Sequence, residues 1–377
     1  MTTILGIEST AHTFGIGIVR DGKIISNVRD MYTTKAGGII PMDSAKHHGE
    51  VCDRVYSEAL KEAGIAPQAY TQRAREPLRG PDKSFSKIST KGKIDAIAYS
   101  RGPGLPPCLI EGMKFAKKLS RELNVPLVPV NHCVAHLEVG RVTGAKDPVL
   151  LYCSGANTQV IAYAAGKYRV FGETLDIGVG NFIDNFARYA GLGFPGGPKI
   201  EKIAIGGSYV ELPYSVKGMD ISLSGILTNL RQKLEKISPP TSPRPPTPRN
   251  SSKRKNVDEM KDYTLNDLAY SMQETVFAML VETAERALAH IGKNELLLGG
   301  GVACNSRLQE MAKIMCEERG AKSFCPEKSL LVDNGAMIAF LGEIMFKSGI
   351  GFDYSEDKIL DIRPRERTDQ VEVSWRD

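Results

Sequence analysis

Short apolar runs near the N-terminus predict strands near 3–7, 14–20 and 23–30, with Gly22 marking the turn between the second and third. A helical pattern follows over about 43–63, and Gly64 is its stop signal. Next come a strand over 94–99, a Gly/Pro loop over 101–107, a helix over about 108–123 and an apolar strand-like stretch over 125–130. A second set of strands is predicted at 149–153, 160–163 and 168–171. Helices are expected over 180–189, from about Pro198, and, long and amphipathic, over about 265–290. Leu296-Leu297-Leu298 then runs into Gly299-Gly300-Gly301 and a helix beginning near Asn305. A strand near 323–325 and a last helix opened by Asp333-Asn334-Gly335 close the chain.

The two strand sets begin alike. One reads strand, Glu8-Ser9-Thr10-Ala11-His12-Thr13, strand, Gly22-Lys23; the other reads strand, Ser154-Gly155-Ala156-Asn157-Thr158, strand, Gly166-Lys167. Each places a small, hydroxyl-rich turn between two strands of a three-strand meander. This weak internal symmetry predicts a duplicated α/β protein with a site between its halves. The expected division is 1–147, with an insertion at 66–93, and 148–377, with an insertion at 239–258.

Composition adds little until charge is mapped. The 377 residues have the apolar and charged fractions of an ordinary soluble domain, and no run of eighteen apolar residues predicts a membrane span. The first residues enter a strand at once, without a signal or transit pattern. Seven scattered cysteines, an odd number without a CxxC pair, argue for a reducing compartment. The net charge of +5 is uneven: 66–93 carries +5 and 239–256 another +5, so the rest sums to −5. Such segments read as solvated insertions or as an electrostatic footprint for nucleic acid.

Candidate chemistry concentrates at Asn131-His132-Cys133-Val134-Ala135-His136. Two histidines four apart on a helix share one face, the reach needed to hold one metal ion; the bland alternative is a face carrying two polar residues. Asp333 reads as a third ligand or as a plain N-cap. Cys133 stands where a zincin would have Glu, which argues against His-Glu-x-x-His protease chemistry. The Ser154–Thr158 turn can present backbone N–H groups and hydroxyls to phosphate, or be an ordinary hairpin. Gly299–Gly301 lets a ring or ribose lie on the backbone near a helix N-terminus, or is a tight turn. Glu201, after Gly196-Gly197-Pro198, can accept ribose hydroxyls or simply sit well near a helix start, and Asp184 is similarly ambiguous.

Assembled, these segments resemble the TsaD/OSGEP family, the catalytic subunits of tRNA threonylcarbamoyladenosine synthesis, and most closely its archaeal and eukaryotic branch in the KEOPS complex. The resemblance is carried by Gly6-Ile7-Glu8-Ser9-Thr10-Ala11-His12-Thr13, Val130–His136, Gly172–Asn181, Glu211–Asp220, Asp333–Ala339 and Arg367–Trp375. It covers nearly the whole chain except 66–93 and 239–258. It implies the actin, Hsp70 and sugar-kinase (ASKHA) ATPase fold: two duplicated lobes with nucleotide in the cleft. It also implies one divalent metal, iron or zinc, on His132, His136 and Asp333, with Tyr152 able to join. Tyr152, Cys153, Ser154, Gly155, Ala156, Asp184, Gly197, Glu201 and Asn305 fall on the family's ATP or threonylcarbamoyl-adenylate contacts. The implied reaction moves threonylcarbamoyl from threonylcarbamoyl-AMP to the adenosine 3′ of the anticodon in tRNAs reading ANN codons. Implied partners are tRNA, a small protein kinase and a small dimerising subunit, in the cytoplasm, and in the nucleus too if the source is eukaryotic. The family's second turn usually reads Ser-Gly-Gly-Asn-Thr, and Ala156 replaces its second glycine. A nucleotide-hydrolysing or kinase-like switch on the same fold, a metallopeptidase and a non-catalytic tRNA scaffold are the competing readings.

Overall fold

A computed structural model of the chain describes residues 1–34, 38–65, 94–237 and 263–376. The insertions expected at 66–93 and 239–258 lie outside the described residues.

The first meander forms as predicted: β1 (Thr3–Glu8), β2 (Thr13–Arg20) and β3 (Lys23–Met31) are antiparallel neighbours. α1 (Pro41–Glu62) starts on a proline whose missing N–H costs nothing in a first turn. β4 (Ala96–Gly102), α2 (Pro106–Leu123) and β5 (Leu127–Asn131) then add two parallel strands, in the order β3-β2-β1-β4-β5. β5 leads directly into the short α3 (His132–Glu138).

The second half repeats this plan. β6 (Val149–Cys153), β7 (Thr158–Ala164) and β8 (Lys167–Glu173) form the antiparallel meander. α4 (Val179–Tyr189) and α5 (Gly197–Ile203) follow. A two-stranded hairpin, β9 (Val216–Lys217) and β10 (Asp220–Ile221), leads to α6 (Ser224–Ile237), then α7 (Leu265–Ile291). β11 (Glu295–Gly299), α8 (Ser306–Glu318) and β12 (Lys322–Phe324) complete a sheet ordered β8-β7-β6-β11-β12, with β6, β11 and β12 parallel. Strand for strand, the order and polarity match the first sheet, so the symmetry between the two turns reflects a true duplication of architecture. The hairpin and α6 have no counterpart in the sequence reading. α6 is a helix because Ile226, Leu230 and Leu234 recur every turn and bury one face.

After α9 (Lys328–Leu331), α10 (Gly335–Lys347) leaves the second half and seats on the first sheet. Strand glycines permit this approach: a Cβ at Gly6 would lie 2.2 Å from the Ala339 nitrogen, and one at Gly17 only 2.1 Å from the Ala336 nitrogen. α3 and α10 fill the space between the sheets. There Val134 and Leu137 join Ile4 and Val130 from one sheet, Leu150 and Leu297 from the other, and Met337 and Leu341 from α10 in one buried cluster. Among the described residues no helix is long and apolar enough to cross a membrane.

Candidate metal centre

α3 begins where Asn131 accepts hydrogen bonds from the backbone of Cys133 at 3.0 Å and Val134 at 3.2 Å. Every residue of this helix is buried, so the two histidines are fixed by packing as well as by spacing. Their rings stand edge to face with centroids 4.8 Å apart. Asp333 comes from the loop before α10, and the cap of α10 is its neighbour: the Asn334 side chain accepts from Met337 N at 2.9 Å. Asp333 is thereby released from the capping role. Its Oδ1 lies 3.4 Å from both His132 Nε2 and His136 Nε2. Tyr152, buried at the end of β6, brings its hydroxyl to 3.1 Å from His132 Nε2.

The donor set fits a metal ion. The 3.4 Å separations exceed the usual N–H···O range. The two Asp333 edges match the roughly 3.3–3.4 Å expected between tetrahedral ligands that each sit about 2.0–2.1 Å from one ion. The three ligand atoms together lie within 4.8 Å, so the histidine nitrogens would draw closer on binding one. Two imidazole nitrogens, a carboxylate and a phenol are a borderline donor set that suits iron or zinc.

Behind His132 stands a residue the sequence reading placed only in a turn motif. Glu8, fully buried at the end of β1, presents Oε2 to His132 Nδ1 at 3.0 Å. Its Oε1 accepts from Thr10 N at 2.7 Å and from the Thr10 hydroxyl. A carboxylate on Nδ1 fixes the tautomer that turns the Nε2 lone pair towards Asp333. Glu8 lies in the same turn segment already compared with Ser154–Thr158, and no local spacing ties it to His132.

Burial works against the imidazolium of His132, yet the facing Tyr152, Glu8 and Asp333 hold its pKa well above the ordinary value. Burial likewise opposes the Asp333 carboxylate, but His132 and His136 together hold its pKa well below the ordinary value. Burial lowers the pKa of His136, so it is the neutral imidazole of the pair. Without a metal the centre is therefore a buried His132⁺–Asp333⁻ pair beside a neutral histidine.

The remaining predicted contacts fall into two groups. Cys153 is buried and offers its backbone, against which Gly300 packs: a Cβ there would lie 2.3 Å from the Cys153 carbonyl. Ser154 closes the next turn on itself, donating from its backbone at 2.8 Å and its hydroxyl at 3.0 Å to Asn157 O. Gly155 and Ala156 form the exposed tip, so the extra Cβ of Ala156 is accommodated in solvent. Farther along, Asp184 accepts from Gly196 N at 2.7 Å, and burial raises its pKa. Gly197 faces open space. Glu201 accepts from Ser306 N at 2.8 Å and from its hydroxyl at 2.6 Å, while Asn305 caps α8 and donates to Gln273 at 2.7 Å. Glu201 and Asn305 thus do structural work at one helix start, whatever else they bind.

A duplicated α/β fold of this topology is of the ASKHA type, and the His132, His136, Asp333 cluster between its sheets could hold a metal ion. A family model described as TsaD, tRNA N6-adenosine threonylcarbamoyltransferase, matches residues 82–340. The protein of that name from Thermococcus kodakarensis is 47% identical over 372 residues, covering 98% of this chain and 99% of its own. The probable tRNA N6-adenosine threonylcarbamoyltransferase of Drosophila melanogaster is 46% identical, covering 100% of both chains. A probable bifunctional tRNA threonylcarbamoyladenosine biosynthesis protein of Methanosarcina acetivorans is 46% identical, and the match spans 60% of its length. Among solved structures, nucleotide-bound HypF superposes with a TM-score of 0.55 at 12% identity, over 91% of this chain and 46% of that one. The chain belongs to the TsaD family of tRNA N6-adenosine threonylcarbamoyltransferases and is a transferase.

Proposed function

We propose that this chain transfers threonylcarbamoyl from threonylcarbamoyl-AMP to N6 of the adenosine 3′ of the anticodon, in tRNAs reading ANN codons. The observation that carries this reading is the convergence of His132, His136, Asp333 and Tyr152 at the end of β6, where the Ser154–Asn157 turn begins. An exocyclic adenine amine is a weak nucleophile, because its lone pair is delocalised into the ring. The donor must therefore be activated and held in line. An iron or zinc ion, when bound, supplies a Lewis acid for the carbamoyl carbonyl.

The chain's own residues do the rest. His132, His136 and Asp333 hold the ion, Tyr152 can join them, and Glu8 keeps the proton on His132 Nδ1. At the tip of the turn that Cys153 and Ser154 lead into, the backbone N–H groups of Gly155 and Ala156 are offered to the AMP phosphate, the Ser154 N–H being held by Asn157 O. Oδ2 of Asp184 and Oε2 of Glu201 take no hydrogen bond among the described residues and are left for ribose hydroxyls beside Gly197 and Asn305. The lobes 1–147 and 148–377, the second lending α10 to the sheet of the first, enclose this nucleotide between them. A small protein kinase and a small dimerising subunit assemble with the chain in the cytoplasm, or also in the nucleus of a eukaryote.

The test is a reconstituted reaction with threonylcarbamoyl-AMP and tRNA, with and without those subunits, read as modified adenosine. Nucleotide hydrolysis without adenosine modification in the complete mixture would replace this reading with the switch.

A further inference from the structure

Residues 363–376 cross back over both lobes as a strap. Its first turn, closed by Glu366 N donating to Arg363 O at 3.0 Å, has Pro364 at its second position and lifts Arg365 to its exposed tip. Glu366 points inward, its side chain 1% exposed, and accepts from Arg101 at 2.8 Å, Arg363 at 3.2 Å and Asn131 at 3.1 Å. Asn131 is the cap of the metal-bearing helix. On the other side Gly104 N donates to Pro364 O at 3.1 Å, and Leu105 N donates to Thr10 O at 2.7 Å. The Thr10 hydroxyl is 3.4 Å from His132. The strap therefore reaches the metal centre by two routes, one through Asn131 alone and one through Gly104, Leu105 and Thr10.

Two cavities of about 730 and 550 Å³ adjoin along it and share Arg363 and Gln370. Pro106 and Pro364 give the first an apolar wall, as Pro129, Val134 and Trp375 do for the second. Arg365 lines the first and has no hydrogen bond or ion pair among the described residues. Arg101 lines the second, and its Nε is buried without an acceptor. The Glu366 carboxylate is already engaged, and the exposed Glu372 lines only the second cavity. One free guanidinium, Arg365, beside two that share Glu366 and keep further N–H groups, Arg363 and Arg101, edges an apolar groove. This is what a splayed single strand needs, since phosphates pair with arginine while bases lie on apolar walls.

We propose that this groove holds the single-stranded RNA flanking the target adenosine, with Arg365 and Arg363 on its phosphates and Arg101 Nε meeting an acceptor inside. The proposal rests on the tRNA-transfer reading and assigns where the RNA lies.

The experiment uses the full chain with its partner subunits. Binding of tRNA to the wild type and to Arg365→Ala, Arg365→Lys and Arg365→Glu is measured across a salt series, alongside steady-state kinetics and metal content. Arg365→Ala should flatten the salt slope by roughly 0.7 per lost phosphate contact, and Arg365→Lys should keep it. The kinetic loss should appear in KM for tRNA more than in kcat, should be largest in Arg365→Glu, and should come with unchanged metal content. If the wild type modifies tRNA while Arg365→Ala and Arg365→Glu keep its salt slope and KM, the groove assignment is wrong and its arginines serve an acidic protein partner or none. If the wild type does not modify tRNA at all, the functional reading fails first.

Discussion

Replacing Glu8 with Gln tests the centre at a residue that touches a ligand without being one. The carboxylate is fully buried, 3.0 Å from His132 Nδ1, and is held on its other oxygen by Thr10. Gln keeps the volume but removes the charge, and its amide can turn either an oxygen or an N–H group towards the ring. With the tautomer no longer enforced, the Nε2 lone pair is presented to a ligand only part of the time. Outer carboxylates of this kind are worth about 10–100-fold in metal affinity, or roughly 1.4–2.7 kcal/mol. A second effect runs the other way. Glu8 helps hold the His132 pKa high, so Glu8→Gln eases loss of the proton that competes with metal. The two separate by pH. Above the His132 pKa only the orientation loss remains, and the variant should bind metal about 10–100-fold more weakly. At lower pH the gap should narrow. The assay is competition of the apoprotein against a chromophoric chelator, with zinc or cobalt(II), at several pH values, with circular dichroism as a check on folding. A folded Glu8→Gln protein with wild-type affinity at every pH would refute the reasoning.

Further outcomes follow from the same geometry. The wild type should carry about one metal per chain by elemental analysis, and His136→Ala or Asp333→Ala should leave nearly none, because each removes one ligand of a three- or four-donor set. Chelated protein should gain stability from the His132–Asp333 pair mainly between about pH 4 and 6.5. Asp333, with a lowered pKa, loses its contribution as pH falls below that window; His132, with a raised one, loses its own as pH rises above it. A pH series of thermal melts on wild type and Asp333→Asn checks this, and identical profiles would count against the pair. Gly17→Ala places a Cβ 2.1 Å from the Ala336 backbone. It should push α10 off the sheet, cost about 1–3 kcal/mol, and lower metal content with stability, since Asp333 precedes that helix. Gly178→Ala meets the Gly155 carbonyl at 2.4 Å and should weaken AMP binding by calorimetry while leaving metal content intact.

What could be read from the residues depended on whether the signal was local. The His132/His136 pair is local: its spacing and the strand that precedes it lie within residues 125–136. The duplication was legible too, because turn and strand chemistry repeat in order. Asp333 was only half legible. An aspartate before a helix reads as a cap until Asn334 is seen to do the capping, and the neighbour's role decides the side chain's freedom. Glu8 lies 124 positions from His132, and one carboxylate at a strand end carries no pattern that names a distant imidazole. The seat of α10 on the first sheet leaves a trace in the sequence. Gly6, Gly15 and Gly17 lie in two paired strands, where glycine weakens a strand unless another backbone comes close. Those glycines and Glu8 belong to one device: α10 needs bare strand to approach, its approach brings Asp333 to the histidines, and the same β1 strand ends in the carboxylate that orients His132. The metal centre therefore depends on the first sheet twice, once for the ligand that α10 delivers and once for the proton that β1 holds in place.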